Sequence, residues 1–288
     1  MAAVSGAVAA RKPVKTTITP RRGFLHLGLG ELWRYRELGL FYVWRDIKVR
    51  YKQTVIGATW AIIQPIVLMV VFTFVFGRGG RLAPPPGVAA PIYFFSALVI
   101  WSYFAQALQV STGSILSSQQ IITRVYYPRL IHPLAGTLPG LVDFVMAFAV
   151  MLVLMAAYGV PFTARLAVMP VLVVVAALTA FGAGMWLSAT NALYRDIREG
   201  TPFLIQVMMF LSVILPAKRF ADAASGDVGW LYGINPMAWI VEASRWAITG
   251  HGDFPTRLMT PGLVVTGLLL VTGLIYFRRL EDVIVDVV

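Results

Sequence analysis

Side chains that could do chemistry are sparse and scattered in this sequence. Its three histidines stand far apart and it has no cysteine, so no pattern predicts a metal site or a thiol nucleophile. None of its five lysines follows a glycine, which excludes the GxxxxGK[ST] loop that binds ATP phosphates. One acid, Asp143, lies well inside an apolar stretch. It could relay protons, but we favour a structural role in which it pairs with an arginine or caps a neighbouring backbone. The sequence therefore predicts no catalytic residue, no metal and no cofactor held by this chain.

The composition predicts a protein that lies mostly in a membrane. Hydrophobic residues make up 58% of the 288 residues and charged residues only 13%, against about 25% in soluble domains. This excludes a soluble enzyme, a disordered chain and a secreted disulfide scaffold. The net charge is +11, and residues 1–54 alone hold 11 Lys/Arg. On so apolar a chain, that cluster predicts contact with a membrane surface and not with nucleic acid.

Six apolar stretches are long enough, or nearly so, to cross a bilayer, which takes about 20 residues. They cover residues 55–77, 92–110, 135–158, 166–190, 202–216 and 258–277. If both termini are inside, the inner segments hold 17 of the 24 Lys/Arg, so the positive-inside rule favours an N-in, C-in orientation. We therefore expect an all-α integral membrane protein with six transmembrane helices. Its expected parts are a cytosolic tail (1–30), an interfacial helix (31–54) and a transmembrane domain (55–288).

Residues 31–54 are too charged to span a membrane but have an amphipathic helical pattern. Apolar side chains fall on one face of a helical wheel and basic side chains on another: Leu40, Val43, Trp44, Ile47 and Tyr51 against Arg45, Lys48 and Lys52. The pattern predicts a helix in the inner membrane interface. It would serve as an anchor, which the pattern alone favours, or as a gate at the pore mouth.

The inner segment 111–129, between spans two and three, is more apolar than a solvated loop requires. Its centre contains four aliphatic residues (Ile115, Leu116, Ile121 and Ile122), and two tyrosines follow Arg124. We expect a short helix within residues 114–127 that either folds back on the bundle or docks into a partner protein.

The segment between spans five and six predicts an outer re-entrant helix. Asn235 and Pro236 form a favourable helix start, and a helix from there to about Thr249 is too short to span. Glu242 and Arg245 stand at i, i+3, close enough to pair. Irregular backbone at that depth must be buried in protein or line water, so this segment is expected to border a pore or cavity.

Several motifs in one order resemble those of Wzm- and KpsM-type permeases, the membrane subunits of ABC exporters for bacterial surface polysaccharides. The resemblance runs from about residue 30 to the end, with one departure at residues 215–219 (LPAKR), where such proteins often have a more apolar turn. It rests on residues 44–57 (WRDIKVRYKQTVIG) with Trp60, Gln64 and Pro65, on 127–131 (YPRLI) with Pro133, on 191–198 (NALYRDIR), on 235–237 (NPM) with Glu242 and Arg245, and on 277–281 (FRRLE) with Asp286.

The resemblance implies a homodimer of six-span subunits in the bacterial inner membrane, among membrane lipids, with two copies of a separate ATPase. That ATPase, and not this chain, would hold ATP and Mg²⁺. The resemblance also implies export of a polyprenyl-pyrophosphate-linked glycan through a channel between the permeases. O-antigen-like polysaccharide is the first candidate, and capsule, teichoic acid and cell-wall galactan stay open. The alternatives are an ABC exporter of drugs or lipids and a polyprenyl-sugar-binding enzyme. The enzyme is disfavoured because the sequence lacks clustered acids or histidines.

Three groups of residues are candidates for these roles. The inner loops are expected to couple to the ATPase through Ile121, Arg124, Tyr126, Tyr127, Arg129, Arg195 and Asp196. The basic face of the interfacial helix (Arg45, Lys48 and Lys52) is expected to meet the pyrophosphate, because a bare anion in lipid is very costly. Aromatic side chains would either line the pore, where sugars stack on them, or form interfacial belts: Tyr93, Phe94, Trp101, Tyr103, Trp230, Tyr232, Trp239 and Trp246.

Overall fold

The computed structural model describes residues 29–52, 59–77, 83–122, 127–194, 196–215 and 232–287. Regular structure in these ranges is helical throughout. The helices are α1 (Leu29–Arg34), α2 (Arg36–Lys52), α3 (Thr59–Phe76), α4 (Ala90–Ser117), α5 (Gln119–Ile122), α6 (Ile131–Thr137), α7 (Gly140–Ala157), α8 (Met169–Leu193), α9 (Asp196–Met209), α10 (Pro236–Thr249) and α11 (Thr256–Val287). A 3₁₀ turn (Ala164–Val168) precedes α8, and a π-helical turn (Phe210–Ile214) extends α9.

Six helical segments in the described ranges are long and apolar enough to cross a membrane, which confirms the predicted fold class. They are Thr59–Phe76, Ala90–Ser117, Ile131–Ala157, Ala164–Leu193, Asp196–Ile214 and Thr256–Glu281. Their ends differ from the predicted ones by up to several residues. The second span was predicted to end at residue 110, but α4 continues to Ser117 because the hydroxyls of its last turns bond to carbonyls, Thr112 to Leu108 and Ser114 to Ser111.

The helix α4 is the centre of the bundle. Helices α3, α6, α7, α8, α9 and α10 all contact it. Its segment from Ile92 to Ile100 is almost fully enclosed, and Phe94 is 0% exposed. The Ser244 hydroxyl of α10 donates to the Ser96 carbonyl at 2.7 Å. These six helices are therefore positioned relative to α4.

The long helices α8 and α11 cross in close contact at small residues. A Cβ atom built on Gly273 would lie 2.7 Å from the Gly182 carbonyl oxygen. Next to this contact the hydroxyls of Thr179 and Thr266 lie 2.9 Å apart. Small residues and hydroxyl pairs are what membrane helices use for close approach, since lipid provides no hydrophobic driving force between them.

The helices α1 and α2 lie against one end of the bundle, with α2 on α6. Tyr42 is the buried contact residue of α2, at 2% exposed, whereas Leu40 and Trp44 are 62% and 60% exposed. The predicted apolar face thus includes side chains that protein leaves uncovered. Other side chains of that face do touch the bundle, since Val43 packs against the buried cluster that contains Tyr42 and Tyr51 donates to Asp143. Tyr42 itself was not on the predicted face.

Candidate functional site

Two cavities open beside the C-terminal end of α2. The first, which we call the amide cavity, has a volume of about 380 Å³ and lies between α3, α4, α7 and α9. Three glutamine amides and five aromatic rings line it, together with Arg50, Asp143 and apolar side chains: Gln64, Gln106 and Gln206, and Tyr51, Trp60, Trp101, Tyr103 and Phe144.

Gln106 gives the amide cavity an unmet hydrogen-bonding group. Its Nε2 is buried and has no hydrogen-bond partner in the described part of the chain. A buried donor without a partner is destabilising by about 1–3 kcal/mol. A hydroxyl-bearing guest or water in the cavity could accept this bond.

The second cavity, which we call the arginine cavity, has a volume of about 700 Å³. Its charged lining residues are Arg45, Asp46, Arg50 and Arg198, from α2 and α9, and Gln109 adds an amide. Arg45 pairs with Asp46 at 2.7 Å and Arg50 pairs with Asp143, so three arginines against two acids leave the cavity with one net positive charge. Such a surface favours anions, phosphate above all, because the arginine fork matches phosphate oxygens.

An ion pair separates the two cavities. Arg50 Nη2 lies 3.0 Å from Asp143 Oδ2, and the Tyr51 hydroxyl donates to Asp143 Oδ1. Burial, followed by that hydrogen bond, raises the pKa of Tyr51, so its proton stays in place. The preferred structural role of Asp143, pairing with an arginine, is what the structure shows.

The predicted basic face divides between the cavity and the outside. Arg45 lines the arginine cavity, whereas Lys48 and Lys52 are exposed and line neither cavity. Arg50 and Arg198 line the cavity but were not predicted as site residues. A signal for Arg50 existed, since Asp143 needed a cation and the charged helix adjoins the first span.

The helix α10, predicted as the outer re-entrant helix, is almost wholly enclosed by protein. The Asn235 side chain caps it by accepting from the Met237 amide at 3.0 Å, and Gly250 ends it in the left-handed conformation, φ 69°. Glu242 and Arg245, the pair expected from their spacing, lie 2.8 Å apart with 10% and 3% of their side chains exposed. Arg245 also donates to the Val213 carbonyl. The helix is thus fixed to the π-helical turn at the end of α9.

Comparison with known sequences assigns the chain to a family. The pattern of the family described as ABC-2 type transporter matches residues 39–249. This chain is an ABC-2 type permease.

The permease is similar over most of its length to proteins named O-antigen export system permease protein RfbA. One from Klebsiella pneumoniae is 24% identical over 241 residues, which is 82% of this chain and 89% of the relative. One from Myxococcus xanthus is 26% identical over 255 residues, covering 88% of this chain and 96% of the relative. The predicted resemblance is therefore confirmed. The permease is a multi-pass inner-membrane protein and a transport subunit, and its family implies a partner ATPase.

Four of the predicted coupling residues are described by the structure, and they lie at the α2 end of the bundle: Ile121, Tyr127, Arg129 and Asp196. The short helix α5 falls within the predicted segment, and Ile121 on it is 38% exposed. Asp196 is exposed at the start of α9. The Arg129 amide donates to Glu281, which also pairs with Arg278 at 2.7 Å. Arg124, Tyr126 and Arg195 lie outside the described residues, so the coupling role of this group stays a prediction.

Tyr127 differs from the other coupling candidates because it is buried inside the permease. Its hydroxyl lies 3.2 Å from the Tyr42 hydroxyl and 2.7 Å from His132 Nε2. Burial, then the bond to Tyr42, raises the pKa of Tyr127. Tyr127 therefore joins α2 to α6. Any effect of Tyr127 on a partner ATPase would be indirect, through the position of α2.

The predicted aromatic residues have different surroundings. Trp101 and Tyr103 line the amide cavity. Tyr93, Phe94 and Trp239 are buried in the core, with the Arg245 guanidinium 4.3 Å from the Tyr93 ring centroid. Trp246 is half-buried beneath Arg165, Tyr232 is 39% exposed, and Trp230 lies outside the described residues. Whether these rings line a pore stays a prediction.

Proposed function

We propose that this permease is the membrane-spanning subunit of an ATP-driven exporter for a lipid-linked polysaccharide. It would work as a homodimer with two copies of a separate ATPase and carry a polyprenyl-pyrophosphate-linked glycan, O-antigen-like, across the inner membrane. The α2 end, with its arginine cavity, would face the cytoplasm. The names of the similar proteins support the substrate class.

The lining of the amide cavity is the observation that carries the proposal. Sugar hydroxyls need hydrogen-bond partners, and three glutamine amides meet in this cavity, one of them with an unmet donor. Sugar rings stack on aromatic faces, and Trp60, 57% exposed, offers one at the edge of the cavity. An exporter of drugs or lipids would need an apolar cavity, in which buried amides are costly.

Deletion of the gene in its own bacterium tests the proposal. We expect surface glycan to disappear while lipid-linked glycan accumulates in the cytoplasmic leaflet, both measured by radiolabelling. A deletion strain with a full complement of surface glycan would contradict the proposal. Loss of capsule or teichoic acid in place of O-antigen would reassign the polysaccharide.

Two tryptophan variants test the cavity itself. Trp60→Leu removes a ring at the amide cavity, whereas Trp33→Leu removes one that is 70% exposed on α1 and lines neither cavity. We expect the first to slow glycan export about tenfold, because one stacking contact contributes about 1–3 kcal/mol by analogy with bases on aromatic rings. Export in the Trp33 variant should match that of the wild type. Equal export in both variants would remove the amide cavity from the glycan route.

A further inference from the structure

Arg50 has a buried partner on one side and an open basic cavity on the other. It lines both the amide cavity and the arginine cavity. Its side chain is 42% exposed, whereas that of Asp143, 3.0 Å away, is 9% exposed. An anion in the arginine cavity therefore meets the same guanidinium that holds Asp143.

Asp143 has two other stabilising contacts besides Arg50. The Tyr51 hydroxyl donates to its second oxygen. It also stands in the first turn of α7, where the helix dipole favours a negative charge. A buried carboxylate with no partner would be prohibitively costly. These two contacts stay when the guanidinium turns away. Asp143 can therefore lose Arg50 without becoming a buried charge that has no stabilising contact.

The arginine cavity suits the phosphates of a large anion. Arg198 of α9 lines the same cavity as Arg50, and Arg45 adds a third guanidinium whose charge Asp46 offsets. Charge-assisted bonds from arginine to phosphate are short and often bidentate. The volume of about 700 Å³ leaves room for two phosphates with their first sugar.

We infer that Arg50 exchanges Asp143 for a phosphate of the lipid-linked substrate, while the Tyr51–Asp143 hydrogen bond keeps the C-terminal end of α2 on α7. The inference rests on the proposed function and names the residues that sense the substrate. The anchored part of α2, at Tyr42, stays on α6 through Tyr127. Arg50 lines both cavities, so its turn toward the phosphates withdraws its side chain from the boundary between the arginine cavity and the amide cavity.

Equilibrium binding tests the exchange in the complete permease–ATPase complex. The complex is placed in phosphatidylcholine discs, and the probes are undecaprenyl diphosphate, undecaprenol and inorganic pyrophosphate. Arg50→Gln should lower the affinity for undecaprenyl diphosphate about tenfold, because a charge-assisted contact is lost. Asp143→Asn should raise the affinity about threefold, because a partly exposed competing ion pair is removed. Arg36→Gln, on the exposed start of α2, should leave the affinity unchanged.

The opposite signs separate exchange from a purely structural ion pair. Equal losses of affinity in both variants would overturn the exchange and leave the proposed function standing. Equal binding of undecaprenol and undecaprenyl diphosphate by the wild type would overturn both the exchange and the proposed function. If Asp143→Asn does not assemble, Asp143→Ser removes the same charge and leaves a hydroxyl for Tyr51, and its affinity should also rise; a fall would overturn the exchange.

Membrane phospholipids are a second source of phosphate, and disc composition distinguishes them. Adding phosphatidylglycerol to the discs should leave the affinity for undecaprenyl diphosphate within twofold, and inorganic pyrophosphate alone should bind more weakly than the lipid form. Displacement of the probe by phosphatidylglycerol would show that Arg50 binds ordinary headgroups, and would overturn the exchange.

Discussion

Glu242 and Arg245 place a pair of opposite charges inside α10, at the end of the bundle opposite α2. The Arg245 side chain is 3% exposed and is aligned by Glu242, by the Val213 carbonyl and by the Tyr93 ring. Removing one partner of such a pair leaves a charge that neither water nor protein neutralises.

Glu242→Gln and Arg245→Met should therefore each destabilise the permease by about 3–5 kcal/mol, whereas the double variant should lose less than the sum of the two. The thermal midpoint of the purified protein in detergent is measured from the loss of its size-exclusion peak on heating. Arg45→Gln, at a pair whose side chains are 31% and 28% exposed, is the control and should shift the midpoint little. Additive losses in the double variant would mean that the two side chains act separately.

At the scale of elements, the α8–α11 crossing depends on the absence of side chains. Gly273→Ala would place a methyl group 2.7 Å from the Gly182 carbonyl oxygen, so the helices must move apart. We expect a loss of about 1–3 kcal/mol in unfolding free energy. Gly267→Ala on the same helix meets nothing within 4 Å and is the matched control. Thermal midpoints of the two variants decide the matter, and equal midpoints would show that the crossing tolerates a methyl group.

The transmembrane elements could be predicted from sequence because hydropathy acts locally. Each span shows its apolar run whatever its neighbours are, and the start of α10 shows its Asn-Pro signal in the same way. Their ends were less predictable. Whether Ser111 and Ser114 lie in lipid or under protein depends on helices that come later in the chain.

The candidate site was predictable only in part, because its parts come from distant segments. The sequence indicated that Asp143 pairs with a cation, but Arg50 is one of many arginines in the first 54 residues and no local pattern distinguishes it. The same holds for Tyr42, which is the buried residue of α2 because α6 and Tyr127 lie beside it. A helical wheel shows which residues share a face, not what that face touches.

At the scale of the whole molecule, the outer surface of the described bundle remains strongly apolar. Phe74 on α3 and Phe203 on α9 are both 71% exposed. Monomeric soluble proteins rarely show large apolar patches, which mark contacts with membrane or with another protein. Lipid and a second protomer would cover these faces in the proposed homodimer.

The isolated permease should neither bind nor hydrolyse ATP, because its sequence has no phosphate-binding loop. ATP binding by equilibrium dialysis and phosphate release in detergent are the two measurements. Adding the partner ATPase should restore hydrolysis, and this is the positive control. Hydrolysis that persists after every co-purifying ATPase has been removed would contradict the assignment as a transport subunit.

The central position of α4 constrains how the protein is made. Protein covers 78% of its most apolar stretch, against 17–39% for the other five spans. Yet α4 is synthesised second among the spans, and its partners α8 and α10 leave the ribosome later. Until they arrive, the polar side chains of α4, Ser96 and Gln106 among them, face hydrocarbon or the insertion machinery. Nascent chains that stop before α8 should therefore be retained at the insertion site and degraded. The bundle can form only after α8 and α10 have been synthesised.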